Sequence, residues 1–175
     1  MPCVPIVVKE CNEDQAKEME NHEKYLNEAF KEAFNGVRSN VGGPFGAVVV
    51  LNGEIIGKGC NHVLGDNDPT AHAEIVAIRL ACKAIGNFDL TGATIYSTCE
   101  PCPMCLSAIY WANIGILYFC STRLQAEEIG FKDNHIYNEL NLQIADRSIP
   151  TKQLEHPMAK VLFGEWMNKM DKTAY

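Results

Sequence analysis

The stretch Ser97–Cys105, STCEPCPMC, holds three cysteines in seven residues and sits where one local pattern gives way to another. Ala93–Thr98 (ATIYST) reads as a buried strand, and the residues from about Cys102 to Ala112 read as a helix. Cys102 and Cys105 fall three apart at that helix start, so both sulfurs lie on one face within reach of a single ion. The positive end of the helix dipole favours the thiolate form that a metal requires. A strand feeding a helix through CxxC equally describes a thioredoxin-like redox dithiol. Taken alone, the stretch leaves open a closed structural metal site, a redox pair and an open metal site that does chemistry.

Composition narrows the setting. The chain has 175 residues, of which 47% are hydrophobic and 21% charged, the balance of one soluble domain with a substantial core. The net charge of -7 comes with scattered basic residues, which disfavours a nucleic-acid groove. No apolar run approaches a membrane span, and MPCVPIVVKE carries prolines without the basic lead-in of a signal peptide. Eight cysteines without a secretory signal point to reduced thiols in the cytoplasm. Cys3, Cys11, Cys60, Cys82 and Cys120 read as ordinary surface or core thiols.

Residues 1–16 read as a flexible arm and 17–175 as one domain ending in a tail helix. Leu26, Ala29, Phe30, Ala33, Phe34 and Val37 recur at helical spacing. Strand-like runs at 45–51 and 54–57 flank Asn52-Gly53, a two-residue hairpin signal. Asp68-Pro69-Thr70 opens a helix that Gly86 would stop. Further strands are expected at 115–120 and, weakly, at 149–154, with helices at 123–130, 134–140 and 161–170. Strands alternating with helices imply an α/β layered domain with a mixed sheet.

Thr70-Ala71-His72-Ala73-Glu74 begins the helix before the cysteines and changes the odds. Its histidine can reach a site shared with the other helix start. At about 100° per residue, Glu74 points roughly 200° away from His72, so it would approach a metal-bound ligand from another side. Each residue alone suits a solvated helix start, but the histidine, the glutamate and CxxC together form a more specific set. One histidine and two cysteines give three protein ligands, and catalytic zinc typically keeps its fourth position for water. Cys99 is expected to stay out, because Pro101 holds Glu100 extended and carries Cys99 back along the strand. His22, His135 and His156 read as solvated surface residues, and His62, next to Asn61, reads more readily as a residue without a site role than as one lining the pocket edge.

His72-Ala73-Glu74 followed by Pro101-Cys102-Pro103-Met104-Cys105 resembles the H-x-E…P-C-x-x-C pattern of the zinc-dependent cytidine deaminase-like superfamily. Within it the chain is similar to the bacterial-type guanine deaminases from about His22 to Tyr175, through GGPFGAVVV, NDPTAHAE, CEPCPMC and AIYWA. The resemblance implies a three-layer α/β/α fold around a mixed five-stranded sheet. It implies one Zn2+ on His72, Cys102 and Cys105, with Glu74 moving protons between the activated water and the purine. It places Asn61 as an amide on the purine edge, Phe45 and Trp111 against the base, and Asp133 at the departing amine. Lys132 stands beside Asp133 where the bacterial pattern has an acid.

The activity so implied is hydrolysis of guanine to xanthine and ammonia. Guanosine deamination and tRNA adenosine deamination are the near alternatives, and a CxxC redox or structural zinc module the distant one. The resemblance also implies a homodimer with exchanged C-terminal segments, each placing Tyr175 at the base in its partner. Phe163, Trp166, Met167 and Met170 form a stripe that would need a surface to bury against.

Overall fold

A computed structural model describes residues 13–174, with side chains from Met19 onward. Four strands form one sheet: β1 (Gly46–Leu51), β2 (Glu54–Cys60), β3 (Thr94–Cys99) and β4 (Ile116–Ser121), in the order β2-β1-β3-β4. The β1–β2 and β1–β3 pairs are antiparallel and β3–β4 is parallel, so the sheet is mixed. The β1–β2 hairpin turns through Asn52 and Gly53, both at positive φ (51° and 80°), as a two-residue turn of that composition requires.

Alternation along β1 divides the core. Val48 and Val50 face one side with Tyr96, where Tyr25 and Ala29 of α1 (Glu13–Arg38) pack. Ala47 and Val49 face the other side with Ile95, covered by Ala73, Ala77 and Ala81 of α3 (Ala73–Ile85) and Ile109 of α4 (Pro103–Trp111). Period-two side chains on a sheet buried on both faces produce this α/β/α layering. α3 lies directly on β2, where a Cβ on Gly57 would come 2.2 Å from the Ala77 carbonyl oxygen and one on Gly59 2.5 Å from that of Ala73. Only glycine permits that approach, and it fixes where the N-terminus of α3 ends up.

The described residues hold four further α-helices, α2 (Val63–Asp66), α5 (Arg123–Glu128), α6 (Asp133–Asn141) and α7 (Pro157–Asn168), and one 3-10 turn at Ile144–Asp146. Several expectations need correction. The sheet has four strands among the described residues, not five. Residues 149–154 form no ladder: Pro150 has no N–H to donate, and Thr151 Oγ1 bonds locally to the Ile149 carbonyl at 3.0 Å. Residues 13–16 of the expected arm belong to α1, and residues 1–12 lie outside the described residues. His22 is not a solvated surface residue; its Nδ1 lies 2.8 Å from Tyr96 Oη and its ring 4.3 Å from that of Tyr118.

Candidate active site

Two helix starts meet at one place. His72 is the N-cap of α3 and Cys102 the N-cap of α4, with Pro103 in the first turn supplying a helical φ and needing no hydrogen bond. Cys105 follows one turn later and is fully buried. His72 Nδ1 lies 3.5 Å from each sulfur, and all three donor atoms fall within 4.8 Å of one another. Tetrahedral zinc, with bonds of about 2.3 Å to sulfur and about 2.0 Å to nitrogen, would separate such atoms by roughly 3.5 Å. The donor set therefore fits zinc in type and in spacing.

The protonation pattern agrees. Hydrogen bonds from Cys105 and His72 hold the Cys102 thiol down at about 4. Its interaction with Cys102, together with burial, raises Cys105. The Cys102 partnership raises His72 in turn. A metal binds such ligands deprotonated and displaces the protons they hold. Cys99 behaves differently. Burial and the carboxylates of Glu74 and Asp133 push it up to about 11, and its sulfur turns to the Thr122 carbonyl at 3.7 Å. It lies at the end of β3, outside the three-atom cluster.

A cavity of about 400 Å³ opens beside these donors, lined by Phe45, Asn61, His72, Glu74, Cys102 and Asp133 among others. Glu74 is 6% exposed, and burial raises its carboxyl above the ordinary range. Its Oε1 accepts from Ser97 Oγ at 3.2 Å. Burial likewise raises Asp133, the first residue of α6. Asn61 Oδ1 accepts two backbone hydrogen bonds, from Gly43 at 3.3 Å and Val63 at 3.2 Å. With the oxygen so engaged, the amide is assigned with its NH2 group toward the cavity that Asn61 lines. Gly42 makes room for it, since a Cβ there would stand 2.2 Å from Asn61 Oδ1. The Phe45 ring is braced edge-on by Phe131, centroids 4.6 Å apart and planes at 80°.

Of the residues expected at the site, His72, Glu74, Cys102, Cys105, Asn61, Phe45 and Asp133 come together. Trp111 does not line this cavity. It is 65% exposed at the end of α4 and borders a separate apolar groove with Ile75, Cys82 and Phe88. Tyr175 lies outside the described residues. His62 is not part of the lining; its Nδ1 lies 3.4 Å from Asp66 Oδ1. Sequence reasoning missed Ser97, Phe131, Glu100 and the Gly42-Gly43 pair. The glycine pair carried a signal, because glycines before a strand mark close backbone approach.

Comparison with known proteins gives the class. Residues 19–121 match the family model of the cytidine and deoxycytidylate deaminase zinc-binding region. The chain belongs to that family and is a zinc-dependent deaminase. It is 44% identical over 155 residues to the guanine deaminase of Bacillus subtilis (strain 168), spanning 89% of this chain and 99% of that protein. The X-ray structure of the B. subtilis guanine deaminase superposes with a TM-score of 0.85, covering 88% of this chain and 98% of that one. Two tRNA-specific adenosine deaminases are also similar. That of Agrobacterium fabrum is 51% identical over 76 residues, 43% of this chain and 50% of its own. That of Buchnera aphidicola is 39% identical over 126 residues, 72% of this chain and 76% of its own.

Proposed function

We propose that this enzyme hydrolyses guanine to xanthine and ammonia. The observation that carries the reading is the near full-length correspondence with a guanine deaminase, 89% of this chain against 99% of that protein. The match to the tRNA deaminases covers smaller parts of this chain. The acidic balance of -7 also suits a small neutral base better than RNA.

His72, Cys102 and Cys105 would hold one zinc ion, which supplies water acidified to near neutrality. Glu74, protonatable because it is buried, takes a proton from the attacking water and returns it to the purine. The C2–O bond forms and the C2–N bond breaks; of the two protons of the water, one stays on the purine ring nitrogen N3 and the other leaves on the departing ammonia. Asp133, at the cavity wall, escorts the amine. Asn61 offers N–H donors to a purine acceptor, and Phe45 packs against the ring.

The same reading includes a homodimer with exchanged C-terminal segments. Phe163 and Met167 of α7 are exposed on their own chain, at 71% and 70%, and a partner subunit would cover them. Trp111, away from its own chain's cavity, would serve the neighbouring one, and Tyr175 would close the pocket across the dimer. No helix among the described residues is long and apolar enough to cross a membrane. The reduced zinc-binding thiols fit a cytoplasmic setting.

A substrate panel read by ammonia release tests the proposal: guanine, guanosine, adenine, cytosine, cytidine and a tRNA anticodon loop. Guanine should be turned over at the highest kcat/KM. A higher value for guanosine or for the RNA would overturn it.

A further inference from the structure

α6 carries Asp133 at its first position yet buries no residue in the core, and Lys132, its N-cap, makes no side-chain capping bond. Something else must hold this short helix against the cavity. Tyr137 lies four residues after Asp133, on the same helical face. Its hydroxyl donates to the carbonyl of Pro101 at 2.8 Å. Pro101 is buried and immediately precedes Cys102, so the bond ties α6 to the loop that delivers a metal ligand.

The tyrosine is itself held. The Arg123 guanidinium lies over its ring, 4.5 Å from the centroid. Glu100, one residue before Pro101, accepts from the Arg123 backbone N–H at 3.0 Å, and its other oxygen lies 3.9 Å from Arg123 Nη1. Glu100 thus takes up the first free N–H of α5, whose N-cap is Thr122, and keeps the arginine over the ring. The chain of contacts runs Glu100–Arg123–Tyr137–Pro101 and closes on the ligand loop at both ends.

From this geometry we infer that Tyr137, seconded by Arg123, is a positioning residue that sets Asp133 against the metal-ligand loop. The inference rests on the proposed role of Asp133 in guanine deamination. Tyr137→Phe removes one hydroxyl and keeps the ring beneath Arg123. In the zinc-loaded full chain, kcat for guanine should fall roughly 3- to 10-fold, the worth of one neutral hydrogen bond, with KM and zinc content unchanged. In an Asp133→Asn background the same substitution should change kcat by less than about twofold, because the two residues act as one unit. Hydrogen exchange should quicken at amides 130–138 while those of β3 and α4 stay protected.

An equal loss of kcat in both backgrounds would show that Tyr137 does not act through Asp133. Unchanged exchange at 130–138 would show that it does not hold the helix. If the wild-type chain leaves guanine untouched, the proposed function fails, and the exchange measurement still decides whether Tyr137 anchors α6.

Discussion

Asn61→Ala would remove the amide oxygen that accepts from the backbone N–H groups of Gly43 and Val63, at 3.3 and 3.2 Å. Both bonds are long, which places each near the low end of the usual 0.5–1.5 kcal/mol, and water entering the vacated space from the cavity would recover part of the loss. The expected destabilisation is about 0.5–1 kcal/mol. With a urea m-value of about 2 kcal/mol/M, the unfolding midpoint should drop by roughly 0.25–0.5 M. Asn61→Asp is the informative contrast. It keeps an acceptor for both backbone donors, now charge-assisted, but turns an acceptor toward the cavity where Asn61 presents N–H groups.

The two variants should therefore separate folding from recognition. Asn61→Ala should lose stability and lower kcat/KM for guanine by roughly 3- to 10-fold through one missing hydrogen bond. Asn61→Asp should fold with a midpoint above that of Asn61→Ala yet lose about 100-fold or more in kcat/KM, since a buried acceptor then opposes a purine acceptor. Urea denaturation followed by circular dichroism and initial rates of guanine loss read the two effects. Wild-type kcat/KM in Asn61→Asp, or no shift of midpoint in Asn61→Ala, would refute the assigned orientation of the amide.

Three further outcomes are expected. Glu74→Gln should bind about one zinc per chain and lose at least about 10²–10⁴ in kcat, the range for proton transfer, as checked by metal analysis and steady-state rates; a tenth of wild-type turnover would contradict its role. Cys99→Ala should retain zinc and most activity, because that sulfur faces the Thr122 carbonyl rather than the His72–Cys102–Cys105 cluster; metal analysis showing loss of zinc would mean that it is a ligand. Deleting residues 173–175 should weaken guanine turnover sharply while zinc content and dimer mass, read by light scattering, stay unchanged; full turnover by the truncated chain would remove the tail from the active site.

The residues legible in the sequence were those whose chemistry acts over a few positions. Asn52-Gly53 specified its turn through positive φ at both residues, and Gly86 ended α3 in the left-handed conformation at φ 67°. The cysteine spacing and the short interval from His72 to Glu74 encode geometry within one helical turn. Contacts made across long separations were hidden. Ser97 meets Glu74 over 23 residues, and His22 meets Tyr96 over 74, with neither residue type unusual where it stands. The expected strand at 149–154 failed for the converse reason: apolar residues supplied the pattern, but Pro150 cannot donate to a ladder.

The meeting of two helix starts was the least legible step, and the site depends on it. Periodicity gives each helix its buried face and says nothing about where its end falls along the sheet. Here the small residues set that position: Gly57 and Gly59 let the α3 backbone rest on β2, and Ala73, Ala77 and Ala81 keep the contact close. β3 then delivers Cys99, Glu100 and Pro101 beside that end, so His72 and Cys102 cap their helices within 3.5 Å of one another. Each N-terminus contributes unpaired N–H groups and the positive end of its dipole. Two such ends aimed at one point favour a thiolate and a buried carboxylate together. A redox pair needs one helix start, whereas a second start bearing a histidine and a glutamate is what an open zinc site with its own proton carrier requires.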